Sequence, residues 1–192
     1  MALSDLIPNA GVSIDLGASS RKQALQAMSE LAAGLTGQAA RTIFDAVLQR
    51  ERLGSTGVGQ GVAIPHARLS GMDEVVGVFA RLRTPVDFES RDGRPADLIF
   101  MVLAPENAGA EHLKALARVS RLLRREDVRQ RLRAAPNADA VHAVLAGEPA
   151  SDGVVGLGAC SRSTGSAHPA KTSSAAANRP PVKTPDRFTN SL

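Results

Sequence analysis

The chain has 192 residues, 43% of them hydrophobic, a formal net charge of +4 and neither Trp nor Tyr, which suits one ordinary domain with a core plus an appendage. Residues 151 to 192 carry Arg162, Lys171, Arg179, Lys183 and Arg187 against Asp152 and Asp186, so +3 of the charge lies there and +1 in the body. A nucleic-acid interface would combine a basic stripe with stacking aromatics; only Phe188 of the five Phe lies in the basic segment, and no nucleic-acid partner is expected.

The opening MALSDLIPNAG has neither the basic n-region nor the apolar h-region of a signal peptide. A short strand is predicted over Val12 to Asp15. Ser20 followed three residues later by Gln23 has capping-box spacing and starts a helix whose apolar face is Leu25, Met28, Ala32 and Leu35. Gly34 and Gly37 mark the next turn. A second helix, from about Gln38 to Leu53, turns Ile43, Val47 and Leu48 inward, carries Arg50 in its last turn and stops at Gly54. Extended segments follow at Val62 to Ile64, Val75 to Arg83, Val86 to Phe88 and Asp97 to Ala104. The last is nearly all apolar, as a strand covered on both faces would be; stopped by Pro105, it falls far short of the roughly 20 residues a membrane helix needs.

A long helix from about Ala110 to Arg125 is expected to turn Leu113, Leu116, Ala117, Ser120 and Leu123 to one side, with shorter helices near Glu126 to Ala134 and Asn137 to Leu145. Helices before, after and around a few strands imply an α/β layered domain. Beyond Gly147, Ser, Ala, Gly, Pro and Thr dominate without apolar periodicity, the composition of a disordered tail. Its lone Cys160 cannot form an internal disulfide or a zinc-ligand cluster, in keeping with a reducing compartment. There is no internal repeat.

The chemistry concentrates in GSTGVGQGVAIPHARL, Gly54 to Leu69. Pro65 fixes its own φ and drives Ile64 into an extended conformation, so His66 should stand at a stiff strand end. A neutral imidazole, with an unperturbed pKa of about 6.5, is a nucleophile at cellular pH; a packing or capping role is the competing reading. Arg50 either complements the helix dipole or grips an anion with its planar fork. Glu51 and Arg52 read as solvated surface charges. His112, early in its helix, is either a half-exposed surface residue or lies where free backbone N–H groups favour anions. Ser55 and Thr56 are candidate hydroxyl donors to a phosphate, and turn or strand-entry duty explains them equally well. The glycines lack the G-x-x-x-x-G-K-[ST] pattern of a nucleotide loop. His142 reads as structural and His168 as exposed in the tail.

The run QRERLGSTGVGQGVAIPHARL, the downstream EHLKAL and the opening LSDLIPNAGVSIDLGASSRKQALQAMSELAAGL resemble the enzyme IIA components of the bacterial phosphotransferase system, fructose and mannitol branch, most of all the nitrogen-regulatory kind. The resemblance spans residues 4 to 148, leaving 149 to 192 as a tail that departs from the family pattern. It implies a mixed, mostly parallel sheet flanked by helices on both faces, in a cytoplasmic protein without membrane insertion. His66 then accepts a phosphoryl group, on Nε2 by the family pattern, from a histidine-phosphorylated HPr-like protein; Arg50 and His112 position it, and Ser55 and Thr56 remain candidate hydrogen-bond donors. No metal or cofactor is implied. Regulation of target proteins by phosphorylation state is the leading expectation, and onward transfer to an EIIB component in sugar uptake the alternative.

Overall fold

The structure is a computed structural model that describes residues 4–147; the expected tail, with Cys160 and His168, lies outside the described residues. Two short 3-10 turns, Ser4–Leu6 and Asn9–Gly11, lead into β1 (Val12–Leu16). Then follow α1 (Arg21–Thr36), α2 (Ala40–Arg52), β2 (Gly57–Gly59), β3 (Val62–Ala63), β4 (His66–Leu69), β5 (Val76–Val86), β6 (Ala96–Pro105), α3 (Gly109–Leu123), α4 (Glu126–Ala134) and α5 (Ala138–Ala146).

Local chemistry sets the helix ends. The Ser20 hydroxyl accepts the Gln23 N–H at 3.2 Å, and Gln23 reaches back to the Ser19 N–H and hydroxyl at 2.9 and 2.7 Å. The box therefore closes one residue earlier than the spacing predicts. α1 ends on Gly37, whose φ of 67° suits a residue without Cβ. Asn137 caps α5 through the Ala140 N–H at 2.9 Å. Arg81 closes the end of α4, donating through Nη1 to the Arg133 and Ala135 carbonyls at 2.6 and 2.8 Å.

The sheet runs β1-β5-β6-β3-β2, with β4 also paired to β6. β1 with β5, β3 with β6 and β4 with β6 are parallel, while β5 with β6 and β2 with β3 are antiparallel. The sheet is thus mixed, as expected, although its longest pairing is an antiparallel one. The two extended segments expected around Pro85 are one strand, β5, with a register shift between Arg81 and Val86 that accommodates the missing proline N–H.

Alternation along β6 divides the core. Leu98, Phe100, Val102 and Ala104 pack with Ala115, Val119, Leu132 and Val141 of α3–α5; Ile99, Met101 and Leu103 pack with Leu25, Met28, Ile43 and Val47 of α1 and α2. Both faces are covered, so the strand is apolar throughout. The buried face of α3 is His112, Ala115, Val119 and Leu123. This corrects the expected one: Leu113 is 68% exposed and Ala117 is also exposed. The helix is turned so that Val119 enters the core while Leu113 and Leu116 border a cleft.

β3 and β4 form one course beside β6: Val62 pairs with Leu98 and His66 with Val102, the same offset on either side of the Ile64-Pro65 break. The Gln60 and Gly61 turn between β2 and β3 has positive φ at both residues, 57° and 79°, the primed geometry of a tight hairpin. A Cβ at Gly61 would lie 2.4 Å from Arg133 Nη2 and 2.6 Å from Asp97 Oδ1. Gly57, Gly59 and Gly61 therefore belong to this hairpin.

Candidate functional site

His66 opens β4. Its neighbours Ala67 and Leu69 point into the α1–α2 layer, so strand alternation sends His66 and Arg68 to the α3 side. An open cleft of about 690 Å³ lies there, lined by His66, Arg68, Arg50, Gln49, Glu106 and His112 with a rim of Leu53, Leu113 and Leu116.

Two hydrogen bonds define the imidazole. His66 Nδ1 lies 2.9 Å from the Ile64 carbonyl, and Nε2 lies 3.0 Å from Arg50 Nε. A carbonyl only accepts and a guanidinium only donates. Nδ1 therefore carries the proton and Nε2 the lone pair. Arg50 is held in turn by Nη1 donating to the Gly54 carbonyl at 3.0 Å, which links the last turn of α2 to the ring.

His112 is 8% exposed, and its ring centroid is 5.5 Å from that of His66 with the planes 59° apart. Its buried Nε2 has no hydrogen-bond partner. Arg68 stands at the start of α3, where a Cβ at Gly109 would lie 3.9 Å from its Nη1. The Ala108 cap position offers no side-chain acceptor to the first N–H groups of that helix. Two guanidinium groups and an uncapped helix start thus face the cleft against the single carboxylate of Glu106, a balance that favours an anion.

Burial holds the His66 imidazole below its ordinary pKa, and the Arg50 charge pushes the same way, against the Ile64 carbonyl and the Glu51 charge. Burial also lowers His112, helped by the charges of His66, Arg68 and Arg50. Both rings stay neutral at pH 7. Below about 6.5 the unfolded chain takes up protons that the native rings refuse, so stability should fall as pH drops from 6.5 toward their lowered values. Melting curves between pH 7 and 5 should fall more steeply for the wild type than for the His66→Asn/His112→Asn double variant, by no more than about 1.4 kcal/mol per pH unit per histidine. Parallel curves would show that the rings titrate as in the unfolded chain.

Arg50, His66 and His112 are brought together. Ser55 and Thr56 do not line the cleft: the Ser55 hydroxyl donates to the Phe88 carbonyl, and the Thr56 hydroxyl to Glu51 at 2.5 Å. Glu51 corrects the surface reading, being 6% exposed and aligned with Ile43 and Val47 on the buried stripe of α2. Arg52 is exposed as expected. His142 is half-buried, its Nε2 against the Ile7 carbonyl. Arg68 was not anticipated, although it sits two residues beyond His66 on the same face of a strand.

Among the described residues no helix is long and apolar enough to cross a membrane. Residues 5–147 match the family described as phosphoenolpyruvate-dependent sugar phosphotransferase system, EIIA 2. A nitrogen regulatory protein of Bradyrhizobium diazoefficiens is 52% identical over 151 residues, 79% of this chain and 99% of that one. One from Pseudomonas aeruginosa is 44% identical over 69% of this chain and 86% of its own. The crystal structure of nitrogen regulatory protein IIA-Ntr from Neisseria meningitidis is similar with a TM-score of 0.71 and 36% identity, covering 74% of this chain and 98% of that one. A match over nearly all the described residues, joined to a fold shared with IIA-Ntr, means that the chain belongs to the EIIA type-2 family of the phosphotransferase system, of the nitrogen-regulatory kind.

Proposed function

We propose that the protein is a phosphocarrier that takes a phosphoryl group onto His66 Nε2 from a histidine-phosphorylated HPr-like protein and regulates partner proteins according to its phosphorylation state. The observation that carries this reading is the Nδ1–H bond to the Ile64 carbonyl, which leaves the Nε2 lone pair in the cleft beside Arg50. In the transfer, that lone pair forms the new N–P bond. The P–N bond to the donor breaks, and its electron pair returns to the donor imidazole.

The Arg50 Nε–H now on Nε2 has to leave it as phosphorus approaches, and it is then free to bind phosphoryl oxygens. A planar fork with several donors can make that exchange without withdrawing. His112 supplies a buried ring nitrogen with no other partner, and Arg68 a second cation. In-line phosphoryl transfer asks of a protein mainly positioning and charge stabilisation.

The test is incubation with phosphoenolpyruvate, enzyme I and an HPr-like protein. One acid-labile phosphoryl group per chain, mapped to His66 Nε2 by nitrogen and phosphorus NMR, is the expected result. A chain that stays unlabelled while a known EIIA is labelled in the same mixture would refute the proposal. Adding a fructose or mannitol EIIB separates the two uses: retention of the group favours regulation, and rapid onward transfer favours sugar uptake.

A further inference from the structure

Glu51 is a buried carboxylate beside Arg50, and burying such a charge is costly unless hydrogen bonds satisfy it. Its bonds from Thr56 lead toward the reactive ring, whereas Arg21 of α1 also pairs with Glu89. The Thr56 N–H is 3.2 Å from each of its oxygens, the Thr56 hydroxyl donates to Oε2 at 2.5 Å, and Arg21 Nη1 lies 3.5 Å from Oε1. Thr56, held at both N–H and hydroxyl, offers its carbonyl to the Ile64 N–H at 3.0 Å. The Ile64 carbonyl accepts the His66 Nδ1 proton at 2.9 Å.

We infer that Glu51 is a positioning residue that helps set the tautomer of His66, by fixing Thr56 and through it the backbone of Ile64, the residue whose carbonyl holds the Nδ1 proton. The inference rests on His66 being the phosphoryl acceptor. It explains why a carboxylate occupies the buried stripe of α2: an apolar residue would pack there but could not fix the Thr56 backbone.

The geometry at Ile64 gives the relay its effect. Pro65 has no N–H, so the segment between β3 and β4 is tied by few bonds: the Ile64 N–H to Thr56 on one side, and the Pro65 carbonyl to the Val102 N–H at 2.9 Å on the other. Pro65 keeps Ile64 extended, so losing the first tie lets residue 64 shift as a unit and moves its carbonyl relative to the ring. A histidine ring in water prefers its proton on Nε2. Without the Ile64 carbonyl only the Arg50 Nε–H on Nε2 still favours the Nδ1–H form, so rings that turn away from Arg50 adopt the Nε2–H form, in which Nε2 has no lone pair to attack. Glu51 also directly follows Arg50 in α2, so one carboxylate anchors the segments that carry both hydrogen-bond partners of the ring.

The ring tautomer is read directly by long-range nitrogen–proton NMR, independently of any transfer reaction. Wild type should show His66 as the Nδ1–H form. In Glu51→Ala, with folding confirmed by circular dichroism, the Nε2–H form should appear and phosphorylation should slow at least tenfold. Glu51→Gln keeps an oxygen that accepts the Thr56 N–H and should retain most of the Nδ1–H form. If Glu51→Ala does not fold, Thr56→Val decides, because it deletes only the 2.5 Å bond and should still introduce a measurable Nε2–H fraction. An unchanged tautomer in the folded Ala variant, or in Thr56→Val where Ala fails, overturns the inference even if transfer slows. A wild type that shows the Nδ1–H form yet accepts no phosphate overturns the proposed function instead.

Discussion

His66→Ala should accept no phosphoryl group under conditions that label the wild type to one per chain. The loss should be complete because the other described histidines are badly placed. His112 Nε2 is enclosed, and His142 Nε2 lies against the Ile7 carbonyl. Folding should survive, since His66 is only half-buried at a strand start and Ala67 and Leu69 carry the core contacts of β4. His112→Ala should still be labelled, on the order of 10²-fold more slowly, the scale of losing one aimed donor. Full labelling of a folded His66→Ala protein, or abolition only in His112→Ala, would reverse the two roles.

Arg50→Lys should slow transfer by about 10- to 100-fold and Arg50→Ala by roughly 10²- to 10³-fold, the range for removing a charged donor aimed at the transition state. Lysine keeps the charge but cannot reach His66 Nε2 and the Gly54 carbonyl, each 3.0 Å from a different guanidinium nitrogen. Arg52→Lys, altering an exposed side chain in the same turn, is the control and should transfer at the wild-type rate. Rapid-quench kinetics with matched thermal melts would decide. Equal rates for the two Lys variants would remove Arg50 from the reaction.

What the sequence revealed follows the range of each signal. Ser20 and Gln23 act within one helical turn, so the start of α1 is legible, and the apolar run of β6 fits a strand covered on both faces. The expected face of α3 differs from the observed one because Leu113 and Leu116 have the hydrophobicity of core residues, whereas their surroundings include the rim of a cleft assembled from α2 and β4. β2 and β4 were missed because their pairing partners fix them more than their own short, glycine- and arginine-containing sequences do.

Within the site, the IPH run and a helix-terminal arginine were enough to nominate His66 and Arg50. The charge of Glu51 points to solvent, although its position continues the Ile43 and Val47 stripe. Its burial becomes intelligible only with Thr56 folded back upon it. Arg68 was open to the same period-two argument that places His66.

The unbroken offset of β3 and β4 against β6 also bears on how this chain can change length. Side chains alternate faces with every residue, so adding or deleting one residue between Gly61 and His66 would leave a choice between two losses. Either β4 keeps its pairing and the imidazole turns into the α1–α2 layer, or the imidazole keeps its side and Ala67 and Leu69 lose their core positions. Length variation among relatives should therefore be absent from these few residues and fall instead in loops such as residues 87–95, which join β5 to β6 without fixing the parity of either.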